Sequence, residues 1–443
     1  MVRAMLLRAA ARAKAAGQVD AAMRYNPWAR RRVLSALVRA EHSRNAPALT
    51  ALTRDLTAAA LGAAGGARYG KGRSPVLEDW PVLEKPQLAA APEDFVNRRH
   101  WVRFPAGTGG TTGAPLRLWR SLESIAAEQV FLDRLLAPYG FNMRRARIAV
   151  LRGDSIKAPG DNRPPFGRFG HGGRRLLLSS QHLRPDSLPW YEAALRDFAP
   201  DILWVYPNAA LNLLTLTARA GLDLAVPVIM ASSEMLPGAL HEFLAAQFRA
   251  RIVNYYGQAE RVCLAVSTRP GEFYFEPCYG RVEFGAPTAD DDPAYRCWPI
   301  IGTNYWNPAM PLIRYHIGDL LLAPRAWGAA ELAEVALGLR PFAGLAGREG
   351  EYLLTRDGMR IIGLNQIPRE ISHVLQLQLV QTDCDNLVIN VAALPGFDAR
   401  DAAAIMAQAR AKIPASIAIR IEIVPQLITN ERGKAPFVIR RFG

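Results

Sequence analysis

Cysteine is scarce in this chain of 443 residues, whose four cysteines are Cys263, Cys278, Cys297 and Cys384. None belongs to a Cys-x-x-Cys pair and we see no secretory leader, so we do not expect a disulfide framework. A zinc site built from the first three with a histidine stays open, but their irregular spacing favours buried free cysteines. We therefore predict free thiols and a cytoplasmic protein.

Long apolar runs are also absent. The longest candidates, residues 202–206 and 209–216, are broken by polar residues and fall short of the about 20 residues that span a bilayer. Half of the residues are hydrophobic, which is enough for the cores of the two or three domains expected at this length. These features predict a soluble protein with no transmembrane segment.

Lysine is scarce too, so the net charge of +14 comes mostly from arginine. A basic excess fits nucleic acid, an acidic membrane surface or an anionic substrate as a partner. Because the arginines are scattered and no nucleic-acid-binding motif is present, we expect no nucleic acid partner.

The first 70 residues are rich in Ala, Leu and Arg. They fit a basic amphipathic anchor or transit peptide, or a pair of helices that pack on the main body. Trp28 and Leu34 continue the helical pattern beyond the length of a targeting peptide, which favours helices with a break near Asn26-Pro27. We assign residues 1–75 to this N-terminal region.

Apolar strands and helical stretches alternate through the middle of the chain. The strands are predicted at residues 147–152, 202–206, 226–232 and 251–256, and the helices at 121–139 and 207–220. This order implies parallel βαβ units, whose ligand sites lie at the carboxyl ends of the strands. The segments 232–234 and 256–260 follow such strands. We therefore predict an α/β fold with parallel-rich sheets.

The pattern changes after residue 273. Short strands and turns up to residue 322 predict a small β subdomain. The last hundred residues predict an α+β domain, with strands at 352–355, 387–392 and 417–424 and helices at 368–377 and 399–413.

A glycine- and threonine-rich loop stands out at residues 108–113, Thr-Gly-Gly-Thr-Thr-Gly. Glycine lets backbone N–H groups turn toward an anion, and threonine hydroxyls add donors. Neither the lysine-ended P-loop nor the dinucleotide-binding turn is present. The segment is either an ordinary turn or a loop that closes over nucleotide phosphates.

Five motifs in order resemble the adenylate-forming superfamily of acyl-CoA ligases and adenylation domains. They are the loop at 108–113, Tyr256-Gly-Gln-Ala-Glu260, Arg314-Tyr-His-Ile-Gly-Asp319, Gly347-Arg348-Glu-Gly-Glu351 and Gly433-Lys434. Within the superfamily, the chain is most similar to the branch of phenylacetate–CoA ligase, coenzyme F390 synthetase and CapK. The resemblance implies a large domain at 76–346 and a mobile C-terminal α+β lid at 347–443.

The resemblance also implies a nucleotide site. The ATP-binding residues would be Thr108, Gly109, Gly110, Thr111, Thr112, Gly113, Ser232, Ser233, Glu234, Tyr256, Gly257, Gln258, Asp319 and Arg348. Tyr256 would stack on adenine, Asp319 would bind the ribose hydroxyls, and Glu260 would ligate Mg²⁺. A core tyrosine, a turn-capping aspartate and a solvated glutamate are the plain structural alternatives.

The remaining implied roles concern chemistry and motion. Lys434 would bridge the attacking carboxylate and the α-phosphate, with Glu260 and His171 as the other catalytic residues. Residue 351 would be the hinge of the lid. The substrate pocket would be lined by Tyr206, Asn208 and Tyr255.

The chain departs from the family pattern at three places. Gly109 replaces a second loop hydroxyl, Ala259 replaces the usual Thr or Ser beside the α-phosphate, and Glu351 replaces the usual hinge aspartate. Each lost hydrogen bond to a charged group is worth about 1.5–3 kcal/mol, which slows adenylation without abolishing it.

The resulting hypothesis is an ATP- and Mg²⁺-dependent ligase that adenylates an aryl or acyl carboxylic acid. The acceptor would be CoA, a carrier protein, an amine or a hydroxyl, and a homodimer is left open. Two alternatives remain: an adenylyltransferase that uses a hydroxyl, like coenzyme F390 synthetase, and an inactive CapK-like scaffold in polysaccharide biosynthesis.

Overall fold

The computed structural model describes residues 20–42, 44–107, 116–152, 156–158, 160–288, 294–348, 351–361, 364, 367–368, 371, 373–430 and 433–442. The α-helices are α1 (Pro27–His42), α2 (Ala46–Ala64), α3 (Lys85–Ala90), α4 (Leu122–Leu136), α5 (Leu188–Phe198), α6 (Pro207–Arg219), α7 (Gly238–Phe248), α8 (Ala329–Ala336) and α9 (Ala399–Arg410).

The strands of the first half are β1 (Phe104–Gly107), β2 (Arg117–Arg120), β3 (Ile148–Arg152), β4 (Gly167–Gly170), β5 (Arg175–Ser179), β6 (Ile202–Val205), β7 (Val228–Ser232) and β8 (Arg251–Gly257). Those of the second half are β9 (Leu264–Ser267), β10 (Phe273–Phe275), β11 (Gly280–Phe284), β12 (Tyr295–Asn304), β13 (Tyr315–Pro324), β14 (Gly344–Arg348), β15 (Leu353–Leu354), β16 (Arg360–Ile361), β17 (Val374–Gln381), β18 (Asn386–Ala393), β19 (Ala418–Ile423) and β20 (Val438–Arg440).

The chain divides into two compact units. The first unit combines residues 146–254 with 345–443, and the second unit combines residues 17–145 with 255–344. The chain passes from the first unit to the second within β8, and returns within β14.

The first unit is built on a mostly parallel sheet. β3 lies between β5 and β6, and β6 pairs with β7, all in parallel, while β4 runs antiparallel to β5. Every residue of β7 is buried, as expected for a parallel strand covered on both faces. Because parallel strands end at one edge, the residues that follow β3, β5, β6 and β7 come together there.

The C-terminal part of the first unit has its own sheet, in the order β19-β18-β17-β20. β17 and β18 are antiparallel, and β19 and β20 add in parallel at the two sides. Ile405 and Ala409 of α9 pack on this sheet with Ile389 and Val391. Leu375 and Leu427 instead join the core formed by residues 146–254, so the two parts of the first unit share apolar contacts.

The second unit contains the N-terminal helices α1 to α4 and the antiparallel ladder β11-β12-β13. Its cores include one around Leu88, Phe95 and Met310, all buried. Asn45 caps α2 by accepting a hydrogen bond from the Ala48 N–H, and Ser121 caps α4 from the Ser124 N–H.

The structure confirms the predicted α/β class with a large parallel-rich sheet and smaller sheets, and the break at Asn26-Pro27 before α1. The helix predicted at 368–377 is wrong, because Val374–Gln381 forms β17. Its sequence Val-Leu-Gln-Leu-Gln-Leu-Val-Gln alternates with the period of two that a strand requires. The limits 1–75, 76–346 and 347–443 stay predictions. Among the described helices, none has the length and apolarity needed to cross a membrane.

Candidate active site

Lys434 follows a tight turn near the C-terminus. The Gly433 N–H donates to the Asn430 carbonyl at 2.8 Å, and the Lys434 N–H donates to Asn430 Oδ1 at 3.1 Å. Gly433 has a φ of 70°, and a Cβ there would lie 2.5 Å from Ser180 Oγ. The left-handed φ favours glycine here, and a Cβ would also crowd the Ser180 hydroxyl just after β5.

Gln378, buried on β17, holds both flanks of this turn. Its Nε2 donates to the carbonyls of Ile428 and Pro436, each at 2.8 Å, and its Oε1 accepts from the Ile428 N–H at 3.1 Å. The buried amide thus ties the Lys434 turn to β17 of the C-terminal sheet. Nothing in the local sequence signals this role, because Gln378 lies 56 residues before Lys434.

Glu234, just beyond β7, binds the residue that follows Lys434. One carboxylate oxygen accepts from the Ala435 N–H at 2.9 Å, and the other accepts from the Asn208 N–H at 3.0 Å. Burial raises the pKa of Glu234 to about 7, against the two N–H donors and the Lys434 charge, which lower it. The carboxylate therefore connects β7, the start of α6 and the Lys434 turn.

The Lys434 ammonium lies over an aromatic ring at the edge of the sheet. Its Nζ is 5.3 Å from the centroid of Tyr206, which follows β6. The Arg152 guanidinium, at the end of β3, is 5.4 Å from the same centroid and 4.7 Å from that of Trp204. The predicted pocket residue Tyr206 thus contacts the predicted catalytic lysine, and Asn208 is linked to its turn through Glu234. The contact of Tyr206 with Arg152 was not predicted.

The predicted residues Ser232, Ser233 and His171 also lie in the first unit. Ser232 Oγ accepts from Trp204 Nε1 at 3.4 Å, and Ser233, with φ at 69°, accepts from Arg152 Nη2 at 3.3 Å. Arg175 Nη1 lies 3.1 Å from His171 Nε2, within hydrogen-bonding distance.

In the second unit, two predicted nucleotide residues contact each other. The Tyr256 hydroxyl donates to Asp319 Oδ2 at 2.7 Å, and Asp319 is buried within β13, just after Gly318 with its φ of 81°. A carboxylate can accept hydrogen bonds from a vicinal diol, and a phenol ring can stack on a flat base. The pair therefore has the groups needed for a vicinal diol and a flat base.

Glu260, the predicted metal ligand, is held by a phenol. Tyr315 donates to Glu260 Oε1 at 3.0 Å. No group of three or more His, Cys, Asp or Glu side chains that could hold a metal occurs in the described ranges. Glu260 would supply one carboxylate ligand to a Mg²⁺ ion, and phosphate oxygens and water would complete the coordination, as is usual for this ion. Cys263, Cys278 and Cys297 are buried free thiols.

An arginine that was not predicted contacts Ala259, one of the positions where the chain differs from the family pattern. Arg120 Nη2 donates to the Ala259 carbonyl at 3.1 Å, and burial lowers the pKa of Arg120 to about 10, together with the charge of Arg261. The two arginines line a narrow crevice with Glu260 and Ser124. Arg120 ends β2, so its position depends on a pairing that only the folded chain creates.

The remaining predicted residues are either outside the described ranges or in other parts of the fold. The loop residues Thr108, Gly109, Gly110, Thr111, Thr112 and Gly113 are outside the described ranges, as is the side chain of Arg348. Glu351 lies between β14 and β15, and Gly347 precedes it with a φ of 106°. Gly257 ends β8, Tyr255 is buried within it, and Gln258 Nε2 donates to Cys263 Sγ at 3.0 Å.

Solved structures define the class of fold. Two crystal structures of 2-hydroxyisobutyryl-CoA ligase in the postadenylation state, one with 2-HIB-AMP and one with R3-HIB-AMP, match with TM-scores of 0.58 and 0.56. Each is 17% identical and aligns over 88% of this chain and 89% of the other. The chain therefore has the fold of an adenylate-forming CoA ligase.

One family model matches the C-terminal part of the chain. Residues 353–441 match the model described as the CapK C-terminal domain. This segment contains β15 to β20, Gln378 and the Lys434 turn. The expected CapK-like resemblance is thus borne out for residues 353–441, and the fold is the one found in adenylate-forming CoA ligases. No curated protein matches the chain in sequence.

Proposed function

We propose that this chain activates a carboxylic acid with ATP and Mg²⁺ to give an acyl-adenylate, and then transfers the acyl group to an acceptor thiol such as that of CoA. Amine, hydroxyl and carrier-protein acceptors are further candidates. The fold, the CapK C-terminal domain and the surroundings of Lys434 support the proposal.

The single observation that carries it is the way Lys434 is held. Glu234 fixes the next residue, Gln378 fixes the turn, and the ammonium lies over Tyr206 at the carboxyl edge of a parallel sheet. An α/β sheet binds its ligands at that edge. A lysine that served only solubility would not need a turn held by Glu234 and Gln378 beside an aromatic ring.

In the proposed first step, a carboxylate oxygen of the acid attacks the α-phosphorus of ATP, and pyrophosphate leaves. Lys434 would orient the carboxylate and stabilise the charge that develops on the phosphate oxygens. Tyr256 and Asp319 would hold the adenosine, and Glu260 would hold Mg²⁺, whose charge offsets that of the phosphates.

In the proposed second step, the acceptor sulfur attacks the acyl carbon and AMP leaves. The mixed anhydride formed in the first step makes this displacement favourable without further ATP. His171, which lies beside Arg175, is a candidate to accept the thiol proton.

The experiment is acid-dependent exchange of labelled pyrophosphate into ATP, run on a panel of aryl and acyl acids. Exchange with at least one acid, followed by acyl transfer to CoA seen by mass spectrometry, is the expected result. An AMP ester of a hydroxyl compound that forms without any acid would favour the adenylyltransferase instead. ATP binding with no exchange for any acid would favour the inactive scaffold.

A further inference from the structure

The C-terminal sheet ends in a strand with an open edge. Within the part of the chain that the structure describes, β19 pairs in parallel with β18 on one side and with no strand on the other. The edge is also accessible, because Ile423 at the end of β19 is 63% exposed. Backbone N–H and C=O groups along such an edge are a template for pairing with another strand.

The backbone groups of every second residue of β19 point away from the sheet. The Ala418 N–H donates to the Asp385 carbonyl at 2.6 Å, and the Val424 N–H donates to the Val391 carbonyl at 2.9 Å. Successive residues of a strand direct their backbone groups to opposite sides, so the even-numbered residues bond to β18. The odd-numbered residues of β19 therefore present their N–H and C=O groups to a further strand.

The side chains of β19 alternate between apolar and charged. Ile419, Ile421 and Ile423 lie on one face, and the first two pack against the core of the C-terminal sheet. Arg420 and Glu422 lie on the other face, where they form an ion pair at 2.8 Å with side chains 71% and 42% exposed. Because the two charges are opposite and two residues apart, the strand is complementary to an antiparallel copy of itself.

One two-fold register satisfies both the hydrogen bonds and the charges. When Ile421 of one copy lies opposite Ile421 of the other, outward residues face outward residues, and Arg420 of each copy faces Glu422 of the other. The charged residues then form the non-hydrogen-bonded pairs, whose side chains are closer together. Two-folds centred on the neighbouring outward residues would place Arg420 opposite Ala418, or Glu422 opposite Val424.

We infer that β19 is a homodimer interface, in which the β19 strands of two copies pair antiparallel about Ile421 and join the two C-terminal sheets into one. Ile423, exposed in the single chain, would lie opposite Ile419 of the other copy on the apolar face. On the other face, each Arg420 would lie between the Glu422 of its own strand and that of the facing strand. This interface goes beyond the proposed function and does not depend on it.

The charges also favour a second copy of this chain over an unrelated strand. Charged side chains on an edge strand discourage pairing with other chains. Here the unfavourable term is removed when an arginine and a glutamate face each other twice, as two copies of β19 allow. An unrelated strand would leave Arg420 and Glu422 without facing partners of opposite charge.

Sedimentation velocity of the full chain over a range of micromolar concentrations tests the interface, and we expect a dimer. Arg420→Glu places glutamates opposite each other at both charged pairs, and Glu422→Arg places arginines opposite each other. Each variant should therefore weaken the dimer at least about tenfold. Arg54→Glu, which reverses an exposed arginine on α2, is the control and should dimerise like wild type.

An equimolar mixture of the two variants tests the register. One strand then carries two glutamates and the other two arginines, so a mixed dimer has opposite charges at both pairs. The mixture should dimerise although each variant alone does not. The double variant Arg420→Glu, Glu422→Arg keeps the ion pair within the strand and both facing pairs, and should dimerise like wild type. It replaces the mixture if circular dichroism shows that a single variant has lost its fold.

Three results would overturn the inference. The first is a wild-type chain that stays monomeric over the whole range of concentrations. The second is a dimer that both charge reversals leave intact, because the contact would then lie on another surface. The third is loss of the dimer in each variant without recovery in the mixture or in the double variant, because the charges would then not face each other in the proposed register.

Discussion

At the residue scale, the carboxylate of Glu234 is the side chain most closely tied to the position of Lys434. Both of its oxygens are used by backbone N–H groups, one of which belongs to the residue after Lys434. Its role is thus to position the lysine turn, whatever else it contacts. The sequence places Glu234 after a strand, but only the folded chain brings residue 435 to it.

Glu234→Gln should lower the rate of pyrophosphate exchange only because it disturbs the position of the Lys434 turn. The amide keeps one acceptor but turns an NH₂ toward an N–H donor, so one backbone group loses its partner. A hydrogen bond to a charged group is worth about 1.5–3 kcal/mol, so kcat should fall about 10- to 100-fold with the KM for ATP little changed. Glu242→Gln, an exposed glutamate on α7, is the control. A change in KM with constant kcat would contradict the positioning role.

The same variant should alter how stability depends on pH. The pKa of Glu234 is raised to about 7 in the folded protein, above its value in the unfolded chain, so the folded state binds more protons between these values. The contribution of this group is therefore fully present at low pH and is lost as pH rises through about 7. Urea unfolding should show wild type losing stability relative to Glu234→Gln between pH 5 and 8. Parallel curves would show that Glu234 is not shifted.

At the element scale, the turn that presents Lys434 depends on glycine. Gly433→Ala meets a left-handed φ of 70°, which costs about 1–2 kcal/mol, and a contact with Ser180 Oγ at 2.5 Å. Exchange should fall at least about tenfold. Gly358→Ala has the same kind of φ, 84°, but open space around the new methyl, and should affect stability alone. Partial recovery in the double variant Ser180→Ala, Gly433→Ala would identify the contact as the cause, and equal loss of exchange in both glycine variants would argue against it.

The elements also show what the sequence can predict. The strands β3, β6 and β7 are continuous apolar runs, and their alternation with helices was enough to predict a parallel sheet and its ligand edge. The helix predicted at 368–377 is wrong, because its end overlaps β17, whose residues alternate with the period of two of a strand. The contacts of Arg152 and Arg175 with Trp204 could not be predicted, since they depend on how β3, β5 and β6 pair in the sheet.

At the scale of the whole molecule, the first unit joins two distant parts of the chain through a shared apolar core. Leu375 packs in the core of residues 146–254, whereas Leu377, on the same strand, packs in the core of the C-terminal sheet. Both are 4% exposed, so truncation of either should cost about 2–5 kcal/mol in urea unfolding.

Only Leu375→Ala should also weaken the docking of the C-terminal segment against residues 146–254. At a temperature where both variants are folded, Leu375→Ala should therefore show the lower rate of pyrophosphate exchange. Hydrogen exchange of the amides of residues 433–435 and 437–438 checks this directly. Equal protection in the two variants would contradict a shared core that positions the turn.

The most direct measurement of the central claim is acid-dependent pyrophosphate exchange by Lys434→Ala beside Lys412→Ala, which removes another lysine of the same C-terminal segment. We expect Lys434→Ala to lose about a hundredfold or more of the exchange rate while ATP binding, measured by calorimetry, stays within about threefold of wild type. Lys412→Ala should behave like wild type. Full exchange by Lys434→Ala would contradict the account.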